Sequence, residues 1–281
     1  MKGEGQDFHS LVGDFAGADD LLWAAQTGEL QAVGKVVLSR SGRIGPLVEL
    51  EMARRAYSSI YSDVVVAPPF AKLIRAAMTA AAISGTHRDA RIGVFPLGVL
   101  GRDGDTTDQW TLWASRADQA AIYAGFPPKV AAEIVGALGE LQDNIFRHSS
   151  AYESGLVAFA ASRNTFEVVA SDAGIGVRAS LHQCPEYANV EDAGAALKVA
   201  VMDGESRFGR NSGCGFGMGQ MFRALANHDG ELRFRSGDHA LQIYGHSPSL
   251  QGRLELLHKA SLPGLTISVL CRAPGSTEST L

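Results

Sequence analysis

The stretch Pro128 to His148 limits most strongly what this chain can fold into. Pro127-Pro128 halts the preceding segment, and proline suits the first position of a helix. Ile134, Leu138, Leu141 and Ile145 recur at helical spacing, so a helix over about 128–148 must bury one side. Glu140, Asn144 and His148 follow one another every four residues and form a stripe beside that apolar face. Taken alone, such a stripe is an ordinary solvated helix face. Placed at the margin of a core, with Gly136 and Ala137 on the turn before it, it borders a cleft.

Composition narrows the setting. With 46% hydrophobic and 20% charged residues, the chain can build a globular core. Its 281 residues suffice for two modest domains. A net charge of −5 argues against nucleic-acid binding through a basic surface. Cys184, Cys214 and Cys271 are scattered without metal-ligand spacing, which predicts reduced thiols, no structural zinc and a cytoplasmic protein. The N-terminus lacks the apolar core of a signal peptide, and no apolar run reaches membrane-spanning length.

The front of the chain reads as alternating strand and helix after a loose polar tail at 1–10. Helices are expected over 14–26, 70–83 and 115–123, and strands over 35–38, 63–66 and 91–95. This pattern predicts a small α/β unit over 1–125, ahead of a second domain over 126–281. The alanine-rich stretch 70–83 has a wide apolar surface, so the front unit is expected to carry a protein partner or a homodimer contact. After the long helix, strands are expected at 155–160 and 165–171, helices at 189–202 and 220–227, and a last strand at 265–271. Asn189 is a candidate N-cap for the first of those helices, and Ser236-Gly-Asp-His239 between two β-rich runs reads as a hairpin turn.

Three segments carry the chemistry. On the long helix, Glu140 suits a general base, and the Asn144 carboxamide can ligate Mg²⁺ without adding charge. Arg147 and His148 suit phosphate oxygens. Next, Asp172-Ala-Gly174-Ile-Gly176 closes a strand-like run, so a carboxylate stands at its end while two glycines let backbone approach a flat base. A carboxylate accepting from an exocyclic amine distinguishes adenine from guanine. Third, Gly213, Gly215, Gly217 and Gly219 alternate ahead of a helical pattern, an arrangement that makes an anion nest at a helix start. The chain contains no Walker-type phosphate loop and no dinucleotide fingerprint.

In this order the segments resemble the GHKL superfamily of ATP-binding domains, which includes DNA gyrase, the heat-shock chaperone ATPases and the sensor histidine kinases. Glu140, Asn144 and His148 look like its N box, Asp172 to Gly176 its G1 box, and Gly213 to Gly219 its G2 box. Gly264-Leu-Thr266 resembles its terminal Gly-Thr strand with one extra residue. The resemblance covers roughly 128–274. It implies an α+β protein with a Bergerat fold, a helical layer on a mixed sheet with ATP between them. It also implies that Thr266 borders the adenine and that 178–212 forms a mobile lid. Within the superfamily, Asn144-Ile-Phe-Arg-His-Ser149 looks closest to bacterial stand-alone regulatory ATPases and anti-sigma-type kinases. The front unit resembles a STAS-like domain.

The expected function is therefore a cytoplasmic regulatory protein that binds Mg-ATP and hydrolyses it slowly to switch a lid and a partner. Two alternatives stay open: a serine or histidine protein kinase of the anti-sigma type, and a nucleotide-binding scaffold without catalysis. The ligands expected are ATP or ADP and Mg²⁺.

Overall fold

A computed structural model describes residues 9–12, 14–29, 36–39, 43–57, 64–66, 91–100, 108–202, 230–244 and 253–274. The fold is α+β. Five strands, β4 (Ile92–Pro96), β5 (Leu156–Ser162), β6 (Thr165–Asp172), β7 (Glu231–Tyr244) and β8 (Arg253–Arg272), form one sheet in the order β4-β5-β6-β8-β7. Every pairing in it is antiparallel, which corrects the expectation of a mixed sheet. The local reason is visible at Arg163-Asn164. This two-residue turn, with Asn164 at φ 65°, reverses the chain directly from β5 into β6.

Both faces of the sheet are covered. On one side lie α3 (Asp108–Tyr123), α4 (Pro128–His148), α5 (Gly176–Leu181) and α6 (Ala193–Met202). The helix expected at 128–148 is α4, and its Ile134, Leu138, Leu141 and Ile145 are all buried there. Trp110 and Trp113 of α3 stack on each other; Trp110 meets Phe95 of β4 edge-on, and Trp113 meets Phe95 and Phe159 of β5 at a tilt. On the other side lie α1 (Phe15–Thr27) and α2 (Gly45–Ala56), whose Leu21, Leu22, Leu47 and Val48 pack with Val94, Leu156, Ala158 and Val169. Asp14 caps α1 by accepting from the Gly17 N–H at 2.8 Å.

A buried charge network ties α1 and α2 to the sheet. Glu167 of β6 accepts from the backbone N–H groups of Ile44 and Gly45 at 2.6 and 3.3 Å, so a strand carboxylate caps α2. Arg233 and Arg235 of β7 share Glu49 of α2 and Asp19 of α1, with contacts from 2.6 to 3.1 Å. Burial disfavours the Arg233 charge, but Glu49 and Asp19 more than offset this and hold the guanidinium protonated. Asp19 is pushed up by burial and pulled further down by Arg233, Lys259 and Arg235.

A smaller parallel sheet, in the order β1-β2-β3, comprises β1 (His9–Val12), β2 (Val36–Ser39) and β3 (Val64–Val66). Residues 9–12 therefore belong to a strand, which shortens the expected polar tail. The division at 125/126 falls between α3 and α4, two helices of a single core, and β4 from the front half joins the sheet of the back half. The hairpin expected at Ser236–His239 is corrected as well. β7 runs straight through and pairs with β8 along its length, and register shifts on either side of Gly237, at φ 61°, are absorbed as a bulge. The expected helices at 70–83 and 220–227 lie outside the described residues.

Candidate functional site

α4 ends beside the end of β6. Between them lies a narrow cleft of about 30 Å³ lined by Asn144, Ile145, His148, Ser149, Asp172, Gly176, Val177, Ser180 and Leu265. Asn144 and His148 come from the last two turns of α4, and Asp172 from the final residue of β6. Gly176, Val177 and Ser180 belong to the short helix α5, and Leu265 to β8. The apolar face of α4 points at the sheet, so the adjoining Asn144–His148 stripe meets the sheet end.

Backbone packing holds the loop after β6 in one course. Asp172 Oδ1 accepts from the Gly174 N–H at 2.7 Å. Ile175 donates its N–H to the Ser149 carbonyl at 2.9 Å, joining the loop to the end of α4. A Cβ on Gly174 would stand 1.9 Å from that carbonyl, so only glycine fits there. Gly176 has φ 74°, and Val177 N–H donates to Ser236 Oγ at 3.0 Å.

The electrostatics of the cleft are dominated by one group. Asp172 is 2% exposed, and the contacts resolved for its carboxylate include no cation. Burial pushes its pKa up to about 7, while the Gly174 N–H acts weakly in the opposite sense. His148 is half-buried, and burial, aided by the Arg147 charge, lowers its pKa against the pull of Asp143. Ser180 is 7% exposed, and its buried Oγ has no hydrogen-bond partner among the described residues.

The structure thus brings together Asn144, His148, Asp172 and Gly176, with Gly174 shaping the loop. Other expected site residues lie elsewhere. Glu140 is exposed and does not line the cleft. Arg147 is exposed and pairs with Asp143 at 2.9 Å, one turn back along α4. Thr266 is buried on the opposite face of the sheet, where its hydroxyl meets Ser171 Oγ at 2.6 Å. The residue between Gly264 and Thr266 puts Leu265 opposite Asp172 in the ladder, and a one-residue offset reverses the face. Gly213, Gly215, Gly217 and Gly219 lie outside the described residues.

Residues 178–202, expected as the first part of a lid, are mostly helical, and Leu181, Leu197 and Val201 are buried in the core. The α6 cap is Asp192, which accepts from the Ala195 N–H at 2.7 Å, rather than Asn189. Ser149, Val177, Ser180 and Leu265 were not marked by the sequence as site residues. The available signal was positional: Val177 and Ser180 lie three residues apart on the helix that follows the aspartate.

No group of three or more His, Cys, Asp or Glu side chains able to hold a metal occurs among the described residues. No helix among them is long and apolar enough to cross a membrane. No protein-family model, curated protein or solved structure matches the chain.

Proposed function

We propose that the chain is a regulatory ATP-binding protein of the GHKL type, with the adenine base in the cleft between α4 and β6. The carrying observation is the convergence of Asn144, His148, Asp172 and Gly176 on one cavity from separate elements. The wall is mainly apolar, through Ile145, Val177 and Leu265, and at about 30 Å³ the cleft has to widen to admit a flat base. Asp172 supplies an acceptor without a cationic neighbour among the described residues, which favours a ligand N–H donor at that point. A sheet with the long helix across one face is compatible with the Bergerat arrangement, while α1 and α2 on the second face extend it.

In this reading Asn144 and His148 lie on the path from base to phosphates. Mg²⁺ would arrive with the phosphates and take the Asn144 carboxamide as a protein ligand, since the cleft offers no cluster of acids. The metal would neutralise charge on the phosphates. Asp172 orients the base, and the Gly174 and Gly176 backbone holds the cleft wall in place. Glu140 lies outside the cleft, one turn before Asn144 on α4, where it can reach a nucleophile only when a ligand extends past Asn144. The cytoplasmic setting and a partner-binding front unit belong to the same proposal.

A melting experiment tests it. Ligand at ~100 times Kd stabilises a fold by about 2.7 kcal/mol. Mg-ATP, ADP or a non-hydrolysable analogue should raise the melting temperature of the full chain. The reading fails if none of them does so at millimolar concentration. Incubation with γ-labelled ATP then separates the reactions: free labelled phosphate marks an ATPase, and labelled protein marks a kinase.

A further inference from the structure

The cleft holds a second polar group for which the ATP-binding reading has so far no use. Ser180 lines it, is 7% exposed, and carries a buried hydroxyl with no partner among the described residues. A buried hydroxyl left unmatched typically costs about 1–3 kcal/mol. Serines in helices commonly bond back to a carbonyl one turn earlier, and this one does not. It sits on α5, whose first turn is fastened from behind: Val177 N–H donates to Ser236 Oγ, and Ser236 donates on to the Gly264 carbonyl at 2.7 Å. The hydroxyl is therefore presented on a positioned backbone, in a wall otherwise built there of Ile145, Val177 and Leu265.

Asp172 and Ser180 differ in what they offer a ligand. The carboxylate of Asp172 accepts. The hydroxyl of Ser180, with no acceptor among the described residues, has a proton to donate. The ligand edge complementary to this pair carries an N–H donor and an unprotonated ring nitrogen, as an aminopurine does.

Resting on the ATP-binding reading, we infer that Ser180 is a specificity-determining residue whose hydroxyl donates to a ring nitrogen of the bound base while Asp172 accepts from the exocyclic amine. Satisfaction of the orphan hydroxyl then occurs only in the complex. The unliganded protein carries its cost, and a base without the matching nitrogen leaves that cost unrelieved.

The test uses the full chain, Ser180→Ala, and ATP analogues in which each purine ring nitrogen is replaced in turn by C–H. Calorimetry should show wild type binding one of these analogues about tenfold more weakly than ATP, the effect of one unmatched buried hydroxyl. Ser180→Ala should bind ATP weakly to the same degree and show no further penalty for that analogue. Its unliganded melting temperature should equal or exceed that of wild type, which separates the effect from structural damage. Ser180→Ala that binds ATP like wild type, or wild type that binds every analogue like ATP, overturns the role of Ser180 and leaves the ATP site standing. Absence of any adenine-nucleotide binding by wild type overturns both.

Discussion

Asp172 stands opposite Leu265 in the ladder between β6 and β8, so the carboxylate in the cleft has a leucine beside it. Thr266, one residue on, faces away and bonds Ser171. An acid flanked by an aliphatic side chain and buried to 2% exposure is poorly solvated, and its neighbours give it one N–H at 2.7 Å. From this relationship come the chemistry of the cleft and the first two predictions.

Asp172→Asn should weaken ATP binding by about tenfold or more, because a hydrogen bond to a charged group is worth roughly 1.5–3 kcal/mol. Glu140→Ala should leave binding near wild type, since Glu140 is exposed and outside the cleft. Isothermal titration of the two variants checks the contrast. Equal losses would remove the division of roles between the two acids.

The same substitution should change the pH dependence of stability. The Asp172 carboxyl ionises near 3.8 when unfolded and near 7 when folded, because burial disfavours its charge. Between those values the folded state holds the extra proton, so this group lowers stability as pH rises and contributes no further slope above about pH 7. Each unit of such a shift corresponds to about 1.4 kcal/mol. Asp172→Asn cannot ionise, so its melting temperature should exceed that of wild type by a margin that widens from about pH 5 to about pH 8. A constant margin across that range would place the burial cost elsewhere.

Three glycines should respond differently to alanine. A Cβ on Gly174 meets the Ser149 carbonyl at 1.9 Å, and one on Gly264, at φ 77°, meets the Asp172 carbonyl at 2.0 Å. Both substitutions displace the cleft wall and should destabilise the fold by more than ~1 kcal/mol while weakening nucleotide binding. Gly136 lies within α4 with nothing within 4 Å of its would-be Cβ, so Gly136→Ala should stabilise by about 0.5–1 kcal/mol. Urea denaturation of the three variants ranks them.

The charge network predicts that the front and back of the chain fold together. Removing one member of a buried ion network costs about 3–5 kcal/mol, so Glu49→Ala should lower stability by that order. A fragment starting at residue 126 lacks Glu49 and Asp19, leaving Arg233 and Arg235 without their carboxylates, and also lacks β4 and α3 of the common core. It should show no cooperative melting by circular dichroism. A sharp transition in that fragment would mean that the back half folds alone.

By itself, the sequence determined what depends on near neighbours. Helical spacing placed α4 at 128–148, β-branched runs marked β2 and β3, and the Asp172–Gly176 segment read correctly as a strand end followed by a glycine-shaped turn. These features arise within a few residues, where periodicity and backbone preference act. Tertiary structure alone decided which of the marked residues meet. Arg233 and Arg235 find Glu49 and Asp19 across most of the chain, and this draws the front helices onto the same sheet as the cleft. Register between β6 and β8 put Leu265 rather than Thr266 beside Asp172, and pairing with β8 carried β7 through Gly237 where local signals favoured a turn. Such outcomes are set by which partner buries which face. A one-residue offset in a ladder reverses every side chain, and no local pattern in either strand records the choice.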